Sequence, residues 1–226
     1  MSVFVRPYQP SDRAAVLAIA ADTAFFGDPV EAYLEDRRVA QDFFVSYYLD
    51  CEPEHAWIAE ADGVVVGYLT GSIGGMRATR EKAKTALRAA LRLVSFRYRI
   101  GPLSRRYALR AAKAAARGEY PHVDLKLYPA ELHINLSPAA RGLGLGRSLL
   151  NACLDQMAAL HQPGIHLNTT SRNRAALRLY EKAGFALLGR HRSTVWEPWL
   201  PGEPVENLVY GKVLIPPRQA PKPIEP

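Results

Sequence analysis

Apolar and polar positions recur with two periods along this chain, and the switches between them mark its elements. Residues 3–6 read as a short strand, and Pro10-Ser11-Asp12 supplies a helix start with Ser11 as N-cap. A short apolar helix around Ala15, Leu17 and Ile19 runs out near Phe25-Phe26-Gly27-Asp28-Pro29. Tyr33, Ala40, Phe44 and Tyr47 fall at i, i+7, i+11 and i+14, which predicts one helix over 30–49. Two strands, 56–59 and 64–69, flank Asp62-Gly63, a pair that tolerates the positive φ of a hairpin turn. Helices are expected at 79–94 and 104–117, separated by Gly101-Pro102 and closed by Gly118. Sheet character returns at 131–136. It is followed by a helix at 147–160, with Leu149, Leu150, Cys153 and Met157 on one side. A strand at 165–169, a helix at 173–183 and strands at 186–192 and 207–214 complete a mixed α/β order.

At 226 residues and 48% hydrophobic, the chain can bury one good core. One domain is expected over 1–215, with a proline-rich, unstructured tail at 216–226. No run is long and apolar enough to span a bilayer, and the start lacks an apolar signal segment. Cys51 and Cys153 have neither metal-ligand nor CxxC spacing. They predict two reduced thiols, no metal site, no membrane contact and a cytoplasmic setting.

The charge is unevenly spread. Thirteen Lys and Arg against Glu81 alone give residues 77–118 a charge of +12, so the +7 chain is otherwise −5. Arg80, Lys84, Arg88 and Arg92 recur at i, i+4 in the first helix of this basic insert. Arg106, Arg110, Lys113 and Arg117 form a stripe on the second. Three readings stay open: a solvated hairpin whose Leu87, Leu91 and Val94 pack on the domain, a site for an anionic partner, or a surface that lies against its own acidic domain. Gly71 to Gly75 reads as a flexible entry, so excision of 77–118 is expected to be tolerated.

Between the strand at 131–136 and the next helix stand Arg141, Gly142, Leu143, Gly144, Leu145, Gly146 and Arg147. Glycines let backbone N–H groups approach a ligand, and a helix N-terminus favours a pyrophosphate. These features imply an anion site.

With these residues in view, the chain resembles the GNAT acetyltransferases. Arg141-x-x-Gly144-x-Gly146 matches their acetyl-CoA signature. Asn173-x-x-Ala176-x-x-Leu179-Tyr180-Glu181-Lys182-x-Gly184-Phe185 matches a second hallmark. Phe25 to Pro29 and His133-Ile134-Asn135 are also similar to bacterial relatives of the acetyltransferase-like domain of O-GlcNAcase. The resemblance implies a mixed, mostly antiparallel sheet flanked by helices, with the insert between the third and fourth strands. It implies acetyl-CoA as cosubstrate and a primary amine, on a small molecule or a protein, as acceptor. Backbone groups of Ile134, Asn135 and Leu136 would pair with the pantetheine arm, and N–H groups from Gly142 to Gly146 would hold the pyrophosphate. Asn173 would bond the pantetheine or stabilise its turn, and Tyr180 would protonate the departing thiolate. His133 and Glu131 share one face of the fourth strand with Asn135 and are candidate bases, beside ordered water. His166 and Asn168 fall on the acceptor side. A catalytically silent acyl-CoA-binding or protein-interaction module is the alternative.

Overall fold

The computed structural model describes residues 2–140 and 142–215. Arg141 and the tail at 216–226, both singled out above, lie outside the described residues.

Seven strands form one sheet: β1 (Val3–Pro7), β2 (Ala56–Ala61), β3 (Val64–Ser72), β4 (Ala130–Leu136), β5 (Gly164–Thr170), β6 (Ala186–Ser193) and β7 (Val205–Val213). Their spatial order is β1-β2-β3-β4-β5-β7-β6. Every neighbouring pair is antiparallel except β4–β5. Asp62 and Gly63 both take positive φ, 48° and 79°, as the tight turn between β2 and β3 requires.

Helices cover both faces. α6 (Leu145–Ala159) buries Leu149, Leu150, Cys153 and Met157 on one face of the sheet, where α7 (Arg174–Lys182) adds Tyr180. α1 (Arg13–Asp22) and α3 (Ser46–Cys51) pack Val16, Ile19 and Leu49 over Ile58 and Tyr68 on the other.

Ser11 does not cap α1; it lies in a single 3-10 turn, Pro10–Asp12. Asp12 turns back instead, accepting from the Gln9 N–H at 2.8 Å and from Arg6 at 2.7 and 2.8 Å. The single helix expected over 30–49 is also broken. A 3-10 turn, Val30–Ala32, precedes α2 (Arg37–Phe44), and α3 follows immediately. Asp36 caps α2 by accepting from the Arg38 N–H at 3.1 Å, and the buried Val45 leaves helical geometry at φ −127°. The apolar spacing was real, but the capping carboxylate splits the helix.

The insert holds α4 (Gly75–Val94) and α5 (Pro102–Ala116). Of the three readings, contact with the acidic domain is the one the structure bears out. Glu35 accepts from the N–H groups of Gly101, Leu103 and Ser104 at 3.1, 2.7 and 3.0 Å, placing a carboxylate on the α5 N-terminus. Asp36 accepts from the Arg99 N–H, and Asp42 holds Arg92 and the Tyr98 hydroxyl. Tyr107 stacks beside Tyr33, with ring centroids 4.7 Å apart, in an aromatic cluster that includes Trp196 and Trp199. Arg110 reaches Glu197 and the Thr194 carbonyl, so the α5 stripe is partly spent within the molecule.

Leu87, Leu91 and Val94 do not pack on the domain; they face solvent, and Ala78 and Ala89 make the buried contact. Small residues let α4 sit close to α2 and α3. Nor is the entry loose. Gly74 has φ +71°, and a Cβ there would fall 2.2 Å from the Pro129 carbonyl oxygen. Excision of 77–118 would bare Tyr33 and Trp196, strip Glu35 of its donors and remove Arg99, Arg92 and Tyr98 from Asp36 and Asp42, so the packing argues against its being tolerated.

These contacts predict an acid-labile junction. Burial works against ionisation of Glu35, yet the bonds from Ser104, Leu103 and Gly101 prevail and hold its carboxyl at about 2. Arg38, against a smaller burial cost, holds Asp36 at about 2. Both values lie below the ordinary ~4 of carboxyls, so the stability they lend is complete above about pH 4 and lost as pH falls towards 2. Melting temperatures should drop between pH 5 and 2.5. Glu35→Gln should melt lower at pH 7 and lose less on acidification. An unchanged slope in the variant would refute the assignment.

Candidate active site

The cleft arises because two parallel strands part. β4 and β5 pair only at Ala130–Ile165 and Glu131–His166. β3 stays with β4 as far as Gly67–Leu136, and β7 follows β5 over 164–170. From Leu132 onward the facing edges of β4 and β5 therefore border open space rather than each other. Ser137 donates to the Val66 carbonyl at 2.9 Å, holding the strand end against β3.

The glycine loop meets this opening. Gly144 is the N-cap of α6 in the left-handed conformation, φ 72°, and Gly142 has φ 76°. α6 starts at Leu145, two residues before the expected start, so its first-turn N–H groups belong to Leu145, Gly146 and Arg147. The Leu145 side chain is buried in the core and Leu143 packs at its margin. Gly146 acts differently from the other two glycines. A Cβ there would lie 3.3 Å from both Leu136 and Leu179, so its role is close packing of α6 against β4 and α7.

A cleft of about 850 Å³ brings together His133 to Leu136, Gly142, Gly144 to Arg147, Asn173 and Tyr180. Glu131 is not in it. Asn173 precedes α7 without capping it; its Nδ2 donates to Thr169 Oγ1 at 3.2 Å beside the cleft. Tyr180 is 5% exposed and sits between Phe185 and Tyr210, with ring centroids 6.0 and 6.2 Å away. Burial pushes its phenol upward, so the hydroxyl stays protonated at neutral pH. Among the described residues that hydroxyl has no hydrogen-bond partner.

His133, Asn135 and Glu131 do share one face of β4. Asn135 Nδ2 donates to Tyr68 Oη at 3.2 Å, and Tyr68 Oη lies 3.5 Å from His133 Nδ1. Burial lowers the His133 imidazole to about 4, against a smaller upward pull from Glu131. A neutral-pH base is therefore not what this environment favours. Desolvation disfavours the cation, and the nearest carboxylate is already neutralised.

Glu131 faces a second cavity of about 400 Å³, which shares His133 and Asn168 with the region of the cleft. Tyr48 Oη donates to it at 2.5 Å, Lys82 from α4 pairs with it, and His166 Nε2 stands 3.9 Å away. Burial opposes its ionisation, but Lys82, Tyr48 and His166 outweigh that and keep it below the usual range. His166 Nδ1 is held by the Tyr128 carbonyl at 2.8 Å.

Sequence reasoning missed Lys82, Tyr48, Phe44 and Phe26 as walls of these cavities. Lys82 is 49 residues from Glu131, and no local pattern links them. Arg174 and Arg178 line the cleft as well, and their i, i+4 spacing on α7 was a usable signal.

Residues 114–185 match the model of the acetyltransferase (GNAT) family. Among solved structures, the chain is similar to SsHAT: 28% identity, 95% of this chain and 99% of that one covered, TM-score 0.70. It shares its fold with a GNAT superfamily phosphinothricin acetyltransferase from Sinorhizobium meliloti solved with AcCoA (18% identity, 95% and 90% covered, TM-score 0.58). A ribosomal-protein-alanine N-acetyltransferase from Brucella melitensis is also similar (19%, 93% and 99% covered, TM-score 0.54). A parted β4–β5 pair ending on a glycine-rich helix start, together with these matches, defines an acetyltransferase. The chain carries a GNAT acetyltransferase domain and the fold of that superfamily.

The site makes one prediction independent of any ligand. Imidazole NMR should show His133 neutral throughout pH 5.5–8 and protonating near pH 4. Titration above pH 6 would mean that burial does not govern it.

Proposed function

We propose that this acetyltransferase moves an acetyl group from acetyl-CoA directly to a primary amine of a small-molecule or protein acceptor, in the cytoplasm. One observation carries the reading: the free edge of β4 beyond Glu131 leads straight to the α6 N-terminus. The pantetheine arm, an amide chain, would add to Ile134, Asn135 and Leu136 as a strand, and the pyrophosphate would rest on the N–H groups from Gly142 to Gly146. Asn173 and Thr169 border the same path.

Direct attack suits the thiols. Cys153 is fully buried, with its thiol pushed up to about 12, and Cys51 sits at the end of α3 and lines neither cavity; both are unpaired. No thiol nucleophile for a covalent acetyl intermediate faces the cleft among the described residues. The amine nitrogen would attack the thioester carbon, the C–N bond forming as the C–S bond breaks. The sulfur's electron pair would take the Tyr180 proton, giving free CoA.

Proton removal from the amine constrains His133. An alkylammonium titrates near 10.4, about six units above this imidazole, so direct deprotonation would cost about 9 kcal/mol. His133 is suited to a proton released late, from the far more acidic tetrahedral adduct. The free amine would arise by loss to water. Glu131, paired with Lys82 and set in the second cavity, serves as an acceptor-side wall rather than the base.

Calorimetry with acetyl-CoA and single-turnover transfer test this. Tyr180→Phe keeps the ring and should leave acetyl-CoA affinity nearly unchanged while slowing transfer by roughly 10²–10⁴-fold. Gly144→Val, which forces a β-branched residue to φ 72°, should weaken acetyl-CoA binding severely. No binding by the wild type would end the donor assignment. A Phe variant as fast as wild type would reduce Tyr180 to packing.

A further inference from the structure

The outer face of α4 is apolar, though nothing among the described residues covers it. Met76, Leu87, Leu91 and Val94 are 72%, 60%, 60% and 74% exposed, and Phe96, just past the helix, is 92% exposed. At 100° per residue, Met76, Leu87 and Val94 lie within about 20° of one another, and Ala78 and Ala89 lie on the opposite, buried side. The stripe runs about 27 Å, nearly the whole helix. Arg80 breaks the face between Met76 and Leu87, and Arg77, Lys84 and Arg88 carry one edge. Of these only Lys84 has an ion-pair partner, Glu81, among the described residues. Glu81 is the sole acidic residue of the helix.

We propose that α4 docks flat on an anionic lipid surface. Exposed apolar stripes of this length are rare on a solvated protein and mark contact surfaces. An amphipathic helix with cations along one margin fits a bilayer interface, where the apolar chains enter the acyl boundary and the guanidinium groups reach headgroup phosphates. Charge decides against the other occupants. A second copy would set two strongly cationic helices side by side. A nucleic acid would satisfy the arginines but leave four large apolar chains and Phe96 facing phosphate or water. The lipid surface satisfies both halves of the face.

The geometry leaves the catalytic side free. Lys82 and Thr85 point from the inner face of α4 into the Glu131 cavity, while the stripe faces away from it. Docking would therefore place the acceptor cavity beside the membrane without blocking it. The proposal concerns peripheral contact alone; no helix among the described residues is long and apolar enough to cross a membrane. It departs from the expectation of no membrane contact, and it does not depend on the acetyl-transfer reading.

Co-sedimentation with vesicles of phosphatidylcholine, with and without phosphatidylserine, tests it. The full chain should bind the phosphatidylserine vesicles and leave the neutral ones in solution. Leu87→Gln/Leu91→Gln/Val94→Gln should lower partitioning by roughly tenfold or more, as should Arg77→Glu/Arg80→Glu/Arg88→Glu. All six positions face solvent, and circular dichroism with acetyl-CoA titration checks that each variant remains folded. Three results would overturn the proposal. One is no binding to anionic vesicles. Another is full binding by the Gln variant, which would indicate adsorption through charge alone. The third is a concentration-dependent dimer, or retention of RNA, that the Gln substitutions abolish.

Discussion

β4 and β5 are the only parallel neighbours in the sheet, and they share two residue pairs before they part. The candidate active site is arranged around that separation. The outer strands stay paired on either side, so the gap is held open by the sheet rather than by a loop. α6 fills one face beneath it and delivers its positive end to the mouth, because Gly146 lets the helix lie against Leu136. On the other face the gap exposes His133, Asn135 and Asn168 to the helical layer above. A sheet paired to its ends would have a core of equal quality and no place for a donor.

How far this was legible depended on whether the determining contact was local. Asp62-Gly63 announced its turn because positive φ is a property of two adjacent residues. The glycine loop and the Asn173 to Phe185 segment were readable for the same reason. The break at Asp36 was not, since its carboxylate answers to Arg99 as well as to its own helix. Leu87, Leu91 and Val94 carried a spacing that normally means core, and only the tertiary packing reveals that the alanines were chosen instead. His133 looked like a candidate base by type; its desolvation beside Tyr68 and under the helical layer changes that, and such an environment leaves no local trace.

The unequal charge of the chain has an internal purpose. Glu35, Asp36, Asp42 and Glu131 each take a partner from the basic segment, and together they anchor it from the α5 start to the Glu131 cavity. Two of these carboxylates also cap or terminate helices, so one group answers several orphan donors at once. The cations left over on α4 and α5 are those that face away from the domain. The Glu131 cavity is thus walled on one side by the sheet and on the other by residues that arrive from the insert.

β3 and β4 are hydrogen-bonded neighbours, yet residues 73–129 leave and return between them. Closing an excursion of that size costs only slightly more than closing a short one, about 0.6 kcal/mol for each doubling of length. The length of the excursion therefore costs little in itself; its packing against the domain and the turn of Gly74 beneath Pro129 are what hold it in place. The kinetic consequence is different. β2–β3 and β6–β7 join strands close in sequence, whereas the β1–β2 and β3–β4 seams must each await a distant encounter. The cavity that Tyr48, Lys82 and Glu131 build together therefore exists only after the β3–β4 seam has closed.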